Sequence, residues 1–141
     1  MKVIKFGGTS VANSNAIKSV FNIIKKNRDK TLIVVSALSG VTDNLSSMID
    51  LAVEGDNSYI KKLKYLKKRH VDLINESLDI KSQKKLISFL DAKINEIKDL
   101  LTSIESLRES TNKSCSRILS YGEILSSSVI YEILKHNKLN L

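Results

Sequence analysis

Apolar residues form short runs near the N-terminus and long helical periodicities after it. Lys2 to Phe6 predicts a short strand, with β-branched Val3 and Ile4 leading into Gly7-Gly8. Asn13 to Asn27 predicts a helix. Ile17, Val20, Phe21 and Ile24 recur there at helical spacing, and Asn13 or Ser14 is placed to cap its start. Thr31 to Val35 is a continuous apolar run, the pattern of a strand buried on both faces. These pieces predict a strand–helix–strand unit with parallel strands and a right-handed crossover.

After Gly40 the periodicity is helical throughout. A helix from about Thr42 to Val53 carries Leu45, Ile49 and Ala52 on one face, and Gly55-Asp56 breaks it. A second, from about Tyr59 to Leu78, carries Tyr59, Leu63, Leu66, His70 and Leu73. A third, from about Gln83 to Arg108, places Ile87, Leu90, Ile94, Ile97, Leu101 and Ile104 at alternating spacings of three and four. That is the seam of an antiparallel hairpin or coiled coil. A fourth covers about Asn112 to Lys135. Two parallel strands do not make a self-sufficient sheet. The sequence stops at Lys138-Leu139-Asn140-Leu141, where an α/β pattern would open its next strand. The expected class is therefore α/β with an incomplete sheet, the N-terminal part of a longer protein. A complete small α+β domain is the alternative.

Composition narrows the class further. The chain has 141 residues, with five Gly and no Pro, which argues against a many-turned β-sandwich or barrel. No run reaches the ~18 apolar residues of a membrane helix. Val3 to Phe6 is too short for a signal-peptide core. The single Cys115 forms no internal disulfide, so a reducing, cytoplasmic setting is expected. The net charge is +8, and it is local: residues 57–85 hold nine basic and three acidic side chains. This stretch reads as a solvated helix face remote from the Gly-rich segments, and no nucleic-acid motif accompanies it.

Three segments carry candidate chemistry. Lys5-Phe6-Gly7-Gly8-Thr9-Ser10 lies where a strand gives way to a loop. Paired glycines admit a bulky anion to the backbone, hydroxyls donate to it, and Lys5 adds a compact positive charge. A plain tight turn is the alternative. Val34 to Thr42, with Ser36, Ser39 and Gly40, follows the second strand, so both small-residue loops fall on the same carboxyl edge of the sheet. Helix capping is the alternative role for Ser39 and Thr42. Ser120 to Ser126 places Gly122 inside a helix, which predicts a close backbone approach, with Glu123 beside it as a partner for an ammonium group. A solvent-facing Glu123 is the alternative.

Together, Lys5 to Ala12, Val35 to Thr42 and Ile118 to Ser126 resemble, in order, the opening signature, second substrate loop and Gly-Glu-x-Leu-Ser helix of aspartokinases. The resemblance implies the amino-acid kinase fold. Residues 1–56 would form the β-α-β start, 57–110 a helical insertion and 111–141 the Gly-Glu helix. It also implies transfer of the γ-phosphoryl of ATP to the β-carboxylate of L-aspartate, on the route to lysine, threonine and methionine. Lys5 would be the catalytic cation. Gly7, Gly8 and Ser36 would contact phosphate oxygens, with Thr9 or Ser10 assisting, and Thr42 and Glu123 would hold the aspartate α-carboxylate and α-ammonium. Mg²⁺ would arrive with ATP, since no protein metal ligand is identified. A homo-oligomer is expected, and neither a nucleic acid nor a membrane is expected as partner. The family's later Gly-Arg-Gly-Gly-Ser-Asp-type loop is not in the sequence, nor are regulatory domains or a fused homoserine dehydrogenase. The chain therefore reads as a first half that is inactive alone. A helical interaction module, built on the Ile87 to Ile104 seam, and a nucleic-acid binder using Lys61 to Lys85 are the competing readings.

Overall fold

The computed structural model describes residues 1–27, 30–137 and 139. Strand β1 (Lys2–Phe6) pairs in parallel with β2 (Thr31–Val35), in the register Lys2 with Thr31 through Phe6 with Val35. Between them runs α1 (Ser14–Lys26), whose start is capped by the Asn13 side chain accepting from the Ala16 N–H at 2.9 Å. Ile17, Val20 and Ile24 are its buried stripe.

Four helices follow: α2 (Val41–Glu54), α3 (Tyr59–Ser77), α4 (Ile80–Leu107) and α5 (Asn112–His136). Only Leu78 and Asp79 separate α3 from α4, so the two fold back on each other as a hairpin. The α4 seam, Leu86, Leu90, Ile94, Ile97, Leu101 and Ile104, is buried against α2, α3 and α5. It begins at Leu86 where the spacing predicted Ile87, which is only partly buried; α4 itself starts earlier than expected, on an Asp79 cap that accepts from the Ser82 N–H. Two buried tyrosines tie neighbours to α4. Tyr59 donates to Glu105 and Tyr121 to Glu96, each at 2.6 Å. Burial raises both phenol pKa values above the ordinary range. A reciprocal Thr111–Ser114 capping box opens α5.

Strand β2 departs from the expectation of burial on both faces. Its residues alternate, with Leu32 at 52% and Val34 at 39% exposure, and Val3 of β1 is also exposed at 58%. Helices cover one face of the sheet among the described residues, and a continuous apolar run does not reveal how many faces are covered. The expected opening of another strand at residues 138–141 lies outside the described residues apart from Leu139, whose N–H donates to Leu134. Among the described residues no helix is long and apolar enough to cross a membrane.

Candidate functional site

At the carboxyl edge of the sheet two loops meet. Phe6 is buried at the end of β1, and Lys5, just before it, is exposed. Gly7 then leads into a 3-10 turn, Gly8–Val11, where the sequence pattern predicts plain loop; the fully buried Val11 anchors it. Gly7 is unconfined, whereas a Cβ on Gly8 would lie 2.7 Å from the Ala37 carbonyl oxygen and 3.2 Å from the Ser39 nitrogen. The close approach lets the Ser39 N–H donate to the Gly8 carbonyl at 3.2 Å and the Ser36 N–H to that of Phe6 at 3.1 Å. Gly8 is thus required by contact between the two loops.

Helix α5 closes on the same loop. A Cβ on Gly122 would sit 2.8 Å from the Ala37 Cβ and 3.6 Å from Leu45 and Val41, so the predicted close approach is present. One residue on, the Glu123 carboxylate accepts the Ala37 N–H at 3.3 Å. Glu123 is exposed, as the solvent-facing alternative required, but it is engaged rather than idle. The fully buried Ser126 donates to the Ser36 carbonyl at 2.8 Å. Residues 36–39 are therefore pinned by backbone from β1 and the 3-10 turn and by side chains from α5.

The second loop ends at Gly40, which has φ +77° and precedes α2. No side chain caps α2, so Ser39 and Thr42 do not play the capping role open to them in the sequence. The Val41 N–H turns back to the Leu38 carbonyl at 2.9 Å, and Thr42 beside it is exposed, at a helix start that favours negative charge.

The structure thus joins Gly8, Ser36 and Glu123 through direct contacts around residues 36–39. Lys5, Gly7, Thr9, Ser10 and Thr42 lie on the exposed rim beside them. Ser126 carries no role in the sequence pattern, yet its spacing of three from Glu123 places both on one face of α5. The rim is an open surface. Two cavities lie elsewhere, one of about 770 Å³ beside Lys85, Phe89 and Tyr131 and one of about 590 Å³ beside Ile33, Val35 and Ile130. None of the candidate residues lines either.

The family model for the amino acid kinase family matches residues 1–141. The chain belongs to the amino acid kinase family. Among curated relatives, the bifunctional aspartokinase/homoserine dehydrogenase of Buchnera aphidicola is 31% identical over 146 residues, covering 100% of this chain and 18% of its own. A bifunctional aspartokinase/homoserine dehydrogenase of Arabidopsis thaliana is 30% identical, over 98% of this chain and 15% of its own. The aspartokinase of Chlamydia muridarum is 31% identical, over 99% and 28%. The chain spans less than a third of each of these relatives. The crystal structure of Escherichia coli aspartokinase III in complex with aspartate and ADP superposes with a TM-score of 0.86 at 22% identity, covering 99% of this chain and 30% of that one. The shared fold is the N-terminal part of an amino-acid kinase domain.

Proposed function

We propose that the protein carrying this chain is an aspartokinase, and that these residues form one wall of its active site. The observation that carries this reading is the convergence of the three family-like segments on residues 36–39. The aspartokinase names of the relatives and the aspartate and ADP named in the similar crystal structure support the same substrates. In this reading an oxygen of the aspartate β-carboxylate attacks the γ-phosphorus of ATP. The bond from that phosphorus to the bridging oxygen breaks and ADP leaves. The acceptor is already an anion, so no proton need be removed, and the protein's work is positioning and charge stabilisation.

Lys5 would offset charge on the transferring phosphoryl group. Gly7, Gly8 and Ser36 would lie against phosphate oxygens with Thr9 or Ser10, Thr42 would take the α-carboxylate, and Glu123 the α-ammonium. Gly8 keeps the two loops in contact, and so holds together the edge on which this reading places the phosphates. Mg²⁺ would arrive with the nucleotide. The free Cys115 accords with a reducing, cytoplasmic compartment.

The test is turnover by the full-length protein with ATP and L-aspartate, following ADP release and hydroxylamine trapping of the acyl phosphate. Wild type should produce both, and Lys5→Ala should lose at least ~100-fold in kcat. The 141 residues alone should be inactive. Full activity in Lys5→Ala, or no aspartate-dependent ADP release from wild type, overturns the assignment.

A further inference from the structure

The basic stretch of residues 57–85 lies apart from the site in the sequence, but one of its members reaches it. Arg69, on α3, donates from Nη1 to the Ser39 carbonyl at 2.5 Å, across 30 residues of chain. The same nitrogen is 3.9 Å from where a Cβ on Gly40 would stand. Its sequence neighbours behave differently. Lys67 pairs with Asp91 at 2.7 Å and Lys68 with Asp72 at 2.6 Å, both partly exposed surface pairs. Among the described residues Arg69 pairs with no carboxylate, so its charge is not neutralised by an acidic partner.

The bond falls at a consequential place. Ser39 is held on its N–H side by Gly8 and on its carbonyl side by Arg69. Gly40 and the first turn of α2, which carries Thr42, follow directly. Gly40 has no side chain to brace its left-handed backbone, so the carbonyl before it is where an outside group can fix the direction of entry into α2.

Resting on the proposed aspartokinase reading, we infer that Arg69 is a positioning residue for the aspartate subsite. It acts through the Ser39 carbonyl and Gly40 to hold Thr42 and the α2 amides in place. The helical insertion thereby contributes to specificity as well as to bulk. An arginine suits this task because its planar fork stays charged and loses little freedom per bond formed.

A second arginine supplies the control. Arg108 donates to the Glu54 carbonyl at the opposite end of α2, where no candidate site residue lies. In the full-length protein, Arg69→Met should raise KM for aspartate about tenfold, with a smaller change in kcat and in KM for ATP. Arg69→Lys should recover part of the loss. Arg108→Met should lower Tm without moving either KM. Amide exchange at residues 39–44 should quicken in Arg69→Met only. Unchanged exchange there, or faster exchange with a KM for aspartate within twofold of wild type, overturns the positioning role. So does an Arg108→Met variant that raises that KM equally. A wild-type protein without aspartate kinase activity would overturn the proposed reaction instead, while the exchange comparison would still decide whether Arg69 holds the loop.

Discussion

The two ends of α2 are built from the same parts and finished differently. Each has a glycine in the left-handed region, Gly40 at φ +77° and Gly55 at φ +70°. Each has a carbonyl taken by an arginine, Arg69 on α3 at one end and Arg108 just past α4 at the other. At the C-terminal end the remaining groups are satisfied locally: the Gly55 N–H bonds back to Ala52 and the Asp56 N–H to Leu51. At the N-terminal end no side chain caps the first turn, and the preceding loop is held instead by groups from β1, the 3-10 turn, α3 and α5. Helix termini leave orphan groups that must find partners. At the N-terminal end the Val41 N–H bonds to Leu38 and no side chain caps the turn, which suits the ligand role proposed for it; the other terminus is closed by its own backbone.

The difference is broken most severely by filling the contact between the loops. Gly8→Ala would place a methyl group 2.7 Å from a backbone carbonyl that cannot turn aside. We expect a loss of about 1–3 kcal/mol in stability, as in other overpacked cores. In the proposed assay kcat/KM should fall ~100-fold, as small displacements of reacting groups do. Gly122→Ala should behave similarly, because its Cβ would meet that of Ala37 at 2.8 Å. Ala37→Gly removes the methyl it strikes, so the double variant should recover part of the Tm lost by Gly122→Ala alone. Strict additivity of the two substitutions would show that the contact is not the cause.

The order of these effects also separates what the sequence disclosed from what it hid. The helices were legible because their signals are local: the Asn13 cap, the three-and-four seam of α4, and the buried Tyr59, Leu63, Leu66, His70 and Leu73 stripe of α3. Gly8 and Gly122 were legible as glycines whose presence needs a reason. Their partners were not. Ser126 finds Ser36 across 90 residues, and Arg69 finds Ser39 across 30. Arg69 is the single arginine among nine basic residues, but neither residue type nor periodicity reports what stands opposite it. The exposed side of β2 was hidden for the same reason.

A milder substitution at each end sharpens the comparison. Ser126→Ala removes a buried hydroxyl and leaves the Ser36 carbonyl without that donor. We expect about 1 kcal/mol of destabilisation together with a raised KM for one or both substrates. Gly55→Ala forces a methyl into a left-handed backbone, for about 1 kcal/mol. Its other clash is with the Arg108 guanidinium, the far end of a flexible side chain that can swing away. Equal losses in Tm with a kinetic effect only in Ser126→Ala would sustain the distinction between the ends. A kinetic defect in Gly55→Ala of the same size would remove it.

The smallest effect expected at neutral pH comes from His70, which neighbours Arg69 and is fully buried. Its Nδ1 pairs with the Leu66 carbonyl at 2.9 Å, and Nε2 has no partner in the described structure. Burial, aided by the nearby Arg69 charge, holds its pKa below the ordinary histidine value, although the carbonyl contact works the other way. The sign follows from proton counts. Below the unfolded pKa of about 6.5 the unfolded chain binds a proton that the folded chain refuses, so stability is full above that value and declines as pH falls through it. The decline stops once pH passes the lower folded value. Tm measured from pH 7.5 to 5 should therefore fall more steeply in wild type than in His70→Gln. If this α3 segment also steadies the Arg69 contact, acid should quicken amide exchange at residues 39–44 before it does so at residues 52–56. Parallel Tm slopes in the two proteins would dismiss His70 as the titrating group, and simultaneous loosening of both segments would show that acid does not distinguish the two ends of α2.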